Sequence, residues 1–256
     1  MIHETAIIDK KANLAKDVSV GAYSIIGADV TIGRGSKVGS HVVVSGPSVI
    51  GEENQIFQFS SVGEAPQDKK YAGEPTWLEL GDRNIIREFV TLNRGTVNGN
   101  GKTVIGSDNL FMAYAHVAHD CIIGDFTIFA NAASLAGHVE IGSHSTLGGF
   151  TTVHQFTRIG YRAFCGQSSA ITQDIPPYSI AAGNRAKTVG INKEGLKRQG
   201  YSPELIRALH QAFRELFRSN STRPEALVRL QGLRQKFPEV EEFISFVEQS
   251  KRGIAH

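Results

Sequence analysis

The sequence predicts an all-β solenoid, a parallel β-helix, followed by a small helical domain. An aliphatic residue recurs at every sixth position from Ile8 to Val62, and many of these residues are followed by one of the chain's 27 glycines. A fixed short period is typical of a solenoid, because neither an amphipathic helix nor a half-buried strand repeats every six residues. After about Asn192 the apolar spacing becomes helical.

The hexapeptide repeat returns from Leu80 to Leu92, slips by one residue, and runs again from Ile105 to Ile171. Each unit predicts one short strand and a corner, with the aliphatic side chain inside and the glycine after it making the turn. Three units then form a triangular coil of eighteen residues. Side chains eighteen positions apart are therefore expected to stack, which places Asp120 one coil below His138.

Two polar segments with Gly and Pro interrupt the repeat, at residues 64–78 and 94–104. We expect them to project as loops from a β-helix domain spanning 1–190. Loops on a rigid scaffold often carry binding residues, although a tolerated solvent loop is the alternative. A helical domain is predicted at 191–256, with Ser202 as a helix cap before Pro203 and with Pro224 and Pro238 opening two further helices.

Composition excludes several functions. The net charge is only +2, without the basic patch that nucleic acids require, and no stretch approaches the roughly 20 apolar residues of a membrane span. The N-terminus lacks the features of a signal peptide, so a cytoplasmic protein is expected. Cys121 and Cys165 have no metal-ligand spacing and form no disulfide framework; they are predicted to be small apolar residues of a reducing compartment.

Five of the nine histidines lie between residues 116 and 154, namely His116, His119, His138, His144 and His154. His119 precedes Asp120 and is the best candidate for a general base, because a carboxylate holds one tautomer and stabilises the imidazolium. Adjacent residues of a straight strand point to opposite faces, so this pairing requires a corner between them. No Ser or Cys nucleophile motif is present, which favours direct transfer over a covalent intermediate.

The repeat, the segments QDKKYAGEPT, NRGTV, AHVAHDCIIGD, LAGHV, VHQF, DIPPY and GLKRQG, and the terminal KRGI together resemble the UDP-N-acetylglucosamine 3-O-acyltransferases that begin lipid A biosynthesis. The resemblance covers essentially the whole chain. It implies a homotrimer of left-handed β-helices, against the usual right-handed crossover, with active sites between neighbouring subunits. It also implies transfer of an (R)-3-hydroxyacyl group from acyl carrier protein to the 3-hydroxyl of UDP-N-acetylglucosamine, with no cofactor beyond the carrier's phosphopantetheine and no metal.

The same resemblance implies roles for individual residues. His119 would be the general base, Asp120 would orient it, and the backbone N–H of Gly137 would stabilise the oxyanion. Contacts with the sugar nucleotide are implied for Asp68, Lys70, His116, His138, His154, Gln155, Asn192, Glu194 and Arg198. Because acyl carrier protein is acidic, charge suggests a docking surface formed by Arg207, Arg214 and Arg218.

Two positions depart from the family pattern. Asn93 stands where many members have His, which weakens a role for an imidazole there. Gln167 stands near the position that measures the acyl chain, where Gly admits a long chain, so a shorter donor is expected.

Three alternatives remain. The later N-acyltransferase of lipid A assembly has similar coils but an additional N-terminal domain, for which a repeat beginning at Ile8 leaves no room. A γ-type carbonic anhydrase binds zinc with three histidines across a subunit interface, and the clustered histidines keep it possible. The third is a non-catalytic solenoid that offers only a binding surface.

Overall fold

The β-helix is confirmed by a computed structural model, which describes residues 1–219 and 222–256. Within these residues the chain winds through three sheets, which form three faces of a triangular solenoid. In each sheet the hydrogen-bonded neighbours are parallel strands one coil apart, except for the last two strands of the chain, which form an antiparallel hairpin. A typical register pairs Ile7 with Ile25, eighteen residues further on.

The first face consists of β1 (Ile7–Ile8), β4 (Ile25–Ile26), β7 (Val43–Val44), β10 (Ser61–Glu64), β13 (Thr91–Asn93), β16 (His116–Val117), β19 (Ser134–Leu135), β22 (Thr152–Val153) and β25 (Ala170–Ile171). The second consists of β2 (Asn13–Leu14), β5 (Val30–Ile32), β8 (Ser48–Ile50), β11 (Trp77–Leu80), β14 (Lys102–Ile105), β17 (Ile122–Ile123), β20 (Glu140–Ile141) and β23 (Arg158–Ile159). The third consists of β3 (Ser19–Val20), β6 (Lys37–Val38), β9 (Gln55–Ile56), β12 (Ile85–Ile86), β15 (Leu110–Phe111), β18 (Ile128–Phe129), β21 (Thr146–Leu147), β24 (Phe164–Cys165), β26 (Ser179–Ala182) and β27 (Lys187–Ile191).

The core is a column of the repeat's aliphatic side chains. Almost every coil buries the last residue of each short strand, as at Ile26, Ile50 and Ile86. Cys121 and Cys165 lie in this core as free thiols, as expected, and burial raises the pKa of each to about 12. Both sulfurs are therefore protonated and unreactive at neutral pH.

The corners differ from the prediction that the glycines make the turns. Non-glycine residues occupy the left-handed region there, including Asp120 at φ 59° and His138 at φ 61°. Gly21 and Gly33 have ordinary φ values, but a Cβ at Gly21 would lie 2.6 Å from the backbone of the next coil. These glycines are required because successive coils approach each other closely at this position.

The two interruptions are shorter than the polar segments 64–78 and 94–104. The chain leaves the coil between β10 and β11, at residues 65–76, and between β13 and β14, at residues 94–101. Trp77–Leu80 and Lys102–Ile105 instead pair along their whole length as parallel strands. Their polar residues are accommodated because the outward side of a strand faces solvent, where Lys102 forms a 2.9 Å ion pair with Glu79.

The C-terminal part is helical, as predicted: α1 (Lys193–Arg198), α2 (Pro203–Phe217), α3 (Arg223–Lys236) and α4 (Pro238–Gln249). Ser202 caps α2, its hydroxyl accepting from the Leu205 amide at 3.2 Å, whereas the short α1 was not predicted. The helices share a second apolar cluster that includes Leu209, Phe213 and Phe243. No helix in the described residues is long and apolar enough to cross a membrane.

After α4 the chain returns to the β-helix. Residues 250–256, the C-terminal segment, run beside Asp174, which pairs with Ile254. The Asp174 amide donates to the Gly253 carbonyl at 2.9 Å, and the Ala255 amide donates to the Asp174 carbonyl at 3.0 Å. The end of the chain is thereby attached to the last coil.

Candidate active site

The corner between the first and second faces holds an imidazole–carboxylate pair. His119 Nδ1 lies 2.8 Å from Asp120 Oδ2, and the left-handed φ of Asp120 is the corner that turns both side chains to the same side. The ionised carboxylate only accepts, so Nδ1 carries the proton and Nε2 keeps its lone pair. His119 is 15% exposed, and Asp120 is completely buried. This is the geometry of a general base with its orienting group.

The second interruption surrounds the buried carboxylate of Asp120 with donors. Its oxygens accept from the Thr96 hydroxyl at 2.7 Å, from the Thr96 amide at 3.0 Å and from the Asn100 amide at 3.0 Å. Burial opposes ionisation, but the hydrogen bonds from Thr96 and His119 outweigh it and lower the pKa of Asp120. Asp120 is therefore a fixed negative charge. Gly99 is required beside it, because a Cβ there would lie 2.3 Å from the carboxyl carbon.

Gly137 lies one coil above His119, directly against its ring. A Cβ at Gly137 would be 2.5 Å from His119 Cε1 and 2.7 Å from Nε2. Among the described residues no acceptor is bonded to the Gly137 amide. The residue that packs against the ring thus has a free N–H donor.

His138 completes the stack at this corner. Its Nε2 lies 3.8 Å from Asp120 Oδ2, its ring meets that of His119 edge-on at 5.1 Å, and Phe156 stacks on it from the next coil at 4.5 Å. Burial lowers the pKa of His138 despite the opposing charges of Asp120 and Asp68. His138 is therefore neutral at pH 7, and the spacing of eighteen residues predicted its position correctly.

A cleft of about 930 Å³ opens at this corner and along the second face. Asp120, His138 and Phe156 line one end, and Arg158, Lys251 and Arg252 line the other. The cleft is large enough for a small polar ligand, and it contains groups of both charges.

His116 lies beside the pair, on the first face. Its Nδ1 is 2.7 Å from the Thr91 hydroxyl, and burial together with nearby His119 lowers its pKa. His154 lies two coils further on, directly after β22 of the same face, and Arg252 contacts its Nδ1 at 2.7 Å. The exposed Gln155 lies one coil above Gly137. The structure therefore brings these three residues near the cleft.

The first interruption approaches the same corner. Asp68 is close enough to act electrostatically on His138, and its carboxylate accepts from the Lys70 amide at 3.0 Å. The Lys70 side chain is exposed. Asn93 anchors this loop: its Nδ2 donates to the carbonyls of Glu64 and Ala65, at 3.3 and 2.8 Å. Asn93 thus has a structural contact in place of an imidazole.

Four of the predicted residues lie elsewhere on the chain. Gln167 is exposed at the corner between the third and first faces. Asn192, Glu194 and Arg198 line a groove of about 380 Å³ beside the third face. Asn192 also caps α1 through the Gly195 amide at 3.1 Å, and Glu194 pairs with Lys197 at 2.9 Å. A single chain does not bring these residues to His119.

Two of the predicted docking arginines, Arg207 and Arg214, lie on α2, and Arg218 follows its last residue. Arg207 and Arg214 line a groove of about 430 Å³ with Lys193 and His210, and neither arginine forms an ion pair within the described residues. The guanidinium of Arg218 lies over the Phe213 ring at 5.8 Å. The guanidinium groups of Arg207 and Arg214 are therefore not held in ion pairs, and Glu215 lines the same groove.

One group in the described residues has donor atoms close enough to bind a metal ion: His119, Asp120 and His138, whose donors lie within 4.8 Å of one another. The group fits a metal poorly, because Thr96, Asn100 and His119 already use both carboxylate oxygens. It also differs from the three-histidine set of a γ-type carbonic anhydrase.

Several residues at the site were not predicted from the sequence. Thr96 and Asn100 hold Asp120, Phe156 stacks on His138, and Arg252 contacts His154. The spacing of eighteen between His138 and Phe156 was a usable signal. The hydrogen-bond donors in residues 94–101 had no such signal in the sequence, because this interruption has no repeat period.

Comparisons with known proteins agree with this geometry. Residues 11–46 match the bacterial transferase hexapeptide model of six repeats, and residues 174–255 match the model described as UDP N-acetylglucosamine O-acyltransferase, domain 2. A protein of Thiobacillus denitrificans named acyl-(acyl-carrier-protein)–UDP-N-acetylglucosamine O-acyltransferase is 57% identical over 253 residues, covering 99% of this chain and 98% of that protein. This chain belongs to that family. It is therefore an acyltransferase with the left-handed parallel β-helix of hexapeptide repeats.

Other members of the family support the assignment. A relative from Herminiimonas arsenicoxydans with the same name is 57% identical over 258 residues, covering 99% of this chain and 98% of its own. The crystal structure of UDP-N-acetylglucosamine O-acyltransferase from Moraxella catarrhalis superposes with a TM-score of 0.97 at 47% identity, covering 100% of this chain and 99% of that one. The family's enzymes thus share both the coils and the helical end of this chain.

Proposed function

We propose that this chain transfers an (R)-3-hydroxyacyl group from acyl carrier protein to the 3-hydroxyl of UDP-N-acetylglucosamine, the first step of lipid A biosynthesis. The names of its relatives support the donor and the acceptor. The observation that carries the mechanism is the His119–Asp120 pair at 2.8 Å, with the free Gly137 amide beside it.

In this mechanism His119 is the general base. Its Nε2 removes the proton from the sugar's 3-hydroxyl as the oxygen attacks the thioester carbon, and Asp120 stabilises the imidazolium that forms. The tetrahedral oxyanion accepts from the Gly137 amide. Its collapse breaks the carbon–sulfur bond, and the leaving thiolate of phosphopantetheine takes the proton back from His119.

The acceptor occupies the cleft beside this pair. The neutral His138 lines the cleft and Asp68 is close enough to act electrostatically on it, so both are proposed hydrogen-bond partners for the sugar. His116, His154, Gln155 and Lys70 are proposed as further contacts. The reaction needs neither a metal nor another cofactor, since the donor arrives already activated as a thioester. The enzyme would act in the cytoplasm, where its carrier-bound donor is made.

The complete site requires more than one copy of the chain. His119, Gln167 and the groove of Asn192, Glu194 and Arg198 belong to different edges of the triangular coil. A homotrimer places one edge of a subunit against another edge of its neighbour, so the three sets of residues can meet in one cleft. Asn192, Glu194 and Arg198 would then contact the nucleotide across the interface.

The basic groove on α2 is the proposed docking surface for acyl carrier protein. Arg207 and Arg214 carry unpaired positive charge there, with Arg218 at the end of the helix. Reversing two of these charges is expected to raise the KM for the carrier while leaving the affinity for UDP-N-acetylglucosamine unchanged.

The experiment that tests the function uses purified protein, UDP-N-acetylglucosamine and a series of (R)-3-hydroxyacyl carrier proteins of increasing chain length. Mass spectrometry follows the acylated nucleotide, and His119→Ala is the control. Product that is absent from the control supports the proposal. A well-folded trimer that acylates an amino-sugar acceptor instead would support the N-acyltransferase, and bound stoichiometric zinc would support the carbonic anhydrase. A His119→Ala variant with unchanged activity would overturn the mechanism.

A further inference from the structure

The C-terminal segment places Arg252 against His154. Arg252 Nη2 lies 2.7 Å from His154 Nδ1, and its Nε donates to the Thr172 carbonyl at 2.7 Å. Thr172 lies one coil above His154, so the guanidinium joins two successive coils on the first face. A guanidinium has donors and no acceptor. His154 Nδ1 must therefore accept, and the ring proton is on Nε2.

A competing contact would require the opposite tautomer. His154 Nδ1 also lies 3.2 Å from the carbonyl oxygen of Gln155, and a carbonyl bonds only to a protonated Nδ1. The two contacts exclude each other for one ring. With Arg252 present, its shorter contact keeps Nδ1 of His154 unprotonated. Without Arg252, the proton can move to Nδ1 and bond to the Gln155 carbonyl.

Arg252 is held firmly enough to act in this way. On one side, the Ser250 hydroxyl donates to Asp174 Oδ2 at 2.7 Å. On the other, Gly253 and Ala255 exchange backbone hydrogen bonds with Asp174. Arg252 also lines the cleft that contains Asp120 and His138. Its side chain is thus fixed at the edge of the proposed acceptor site.

We infer that Arg252 is a positioning residue: it fixes His154 as the Nε2–H tautomer, so that the imidazole presents a donor to an oxygen of the sugar nucleotide. The inference rests on the proposed function for the identity of the ligand. It does not require Arg252 to contact the ligand itself. Loss of Arg252 converts Nε2 into an acceptor, which repels the same oxygen.

Two measurements on the full-length protein test the inference. Nitrogen-15 NMR of the histidine rings, with His154→Gln to assign the signal, reports the tautomer in the unaltered protein and in Arg252→Met. Calorimetry then measures the affinity for UDP-N-acetylglucosamine in Arg252→Met, Arg252→Lys, His154→Phe and the double variant. Ser250→Ala is the matched control, because it loosens the same segment without removing the contact to His154.

The expected tautomer is Nε2–H in the unaltered protein and Nδ1–H in Arg252→Met. Arg252→Met and His154→Phe are each expected to weaken binding about tenfold, and the double variant no further, because both changes remove one interaction. Arg252→Lys retains a donor and restores most of the affinity. Ser250→Ala is expected to stay within about twofold of the unaltered protein, because the backbone hydrogen bonds of Gly253 and Ala255 to Asp174 still hold the segment.

An Nδ1–H tautomer in the unaltered protein would overturn the inference, as would additive losses in the double variant or a Ser250→Ala loss equal to that of Arg252→Met. These outcomes are separate from failure of the proposed function. A protein that binds UDP-N-acetylglucosamine with the expected tautomer and variant pattern, yet forms no acylated product, would count against the reaction alone.

Discussion

The ring of His119 lies so close to Gly137 that a methyl group on Gly137 would come within 2.5 Å of Cε1. The two residues are eighteen apart and belong to successive coils, so the close contact is built into the repeat. The glycine leaves room for the imidazole, and its own amide has no acceptor among the described residues. The proposed general base and the proposed oxyanion donor are therefore fixed relative to each other.

Gly137→Ala is expected to reduce kcat by at least about 100-fold, because the added Cβ displaces the imidazole from its working position. Thermal stability should change less than the rate, since the atoms that must shift are the end of the His119 side chain and not backbone. Initial rates at saturating substrates measure the effect. Gly149→Ala is the control, because its added Cβ would meet its nearest neighbour at 3.4 Å. Equal rates in the two variants would contradict the prediction.

Thr96→Val removes the 2.7 Å hydrogen bond to the Asp120 carboxylate. The pKa of Asp120 then rises, because this bond is a main cause of its low value. We expect the acid limb of the kcat/KM profile to move to higher pH and kcat at neutral pH to fall about tenfold, the effect of one hydrogen bond to a charged group. Thr103→Val is the comparison, since the Thr103 hydroxyl contacts the Asp120 amide and not its carboxylate. An acid limb that stays in place would count against the role of Thr96.

Stability is expected to fall as the pH drops below about 6.5, the ordinary pKa of histidine. Burial lowers the pKa of His116 and His138, so the unfolded chain binds protons before the folded chain does. The free energy of unfolding is therefore highest above the pKa that these histidines have in the unfolded chain. It falls as the pH drops towards their lower pKa in the folded chain, by at most about 1.4 kcal/mol per pH unit for each proton.

Urea unfolding of the unaltered protein and His116→Gln at pH 7.5 and 5.5, at one protein concentration, measures this dependence. The variant should lose less stability between the two pH values. His3→Gln removes an exposed imidazole and serves as the control. Identical pH dependence in all three proteins would refute the assignment to His116.

Asn93→Asp replaces a donor by a buried carboxylate that faces the carbonyls of Glu64 and Ala65. We expect the loop at residues 65–76 to loosen and the KM for UDP-N-acetylglucosamine to rise about fivefold, since Asp68 is carried by this loop. Limited proteolysis within the loop gives an independent measure. Asn13→Asp makes the same chemical change at an exposed position and should have no effect. If the loop becomes sensitive to proteolysis while the KM stays unchanged, Asp68 does not contribute to binding of UDP-N-acetylglucosamine.

Gln167→Gly is expected to shift the donor preference towards longer 3-hydroxyacyl chains, by at least about tenfold in the ratio of kcat/KM values for neighbouring chain lengths. The side chain is exposed at its corner, so its removal leaves the core intact. Competition between two donors in one reaction gives the ratio directly. A preference for the longest donor in the unaltered protein, with no change in the variant, would exclude Gln167 as the measuring residue.

The sequence predicted those parts of the site that follow the repeat. The spacing of eighteen placed His138 over Asp120, and the neighbouring His119 and Asp120 required a corner, which the positive φ of Asp120 provides. The donors from Thr96 and Asn100 were not predictable, because the interruption folds back through contacts that no periodicity encodes. The role of the glycines was misread because the close approach of coils is a property of the stacked solenoid, and a single turn does not show it.

Each coil of the solenoid contacts mainly the coils directly above and below it, and the residues around His119 occupy only a few successive coils. Coils near the N-terminus, such as those of β1 to β6, touch none of these residues. Gain or loss of a whole coil there would alter the length of the molecule and leave the register at His119 unchanged. The length of the β-helix can therefore change during evolution without altering the arrangement of residues around His119.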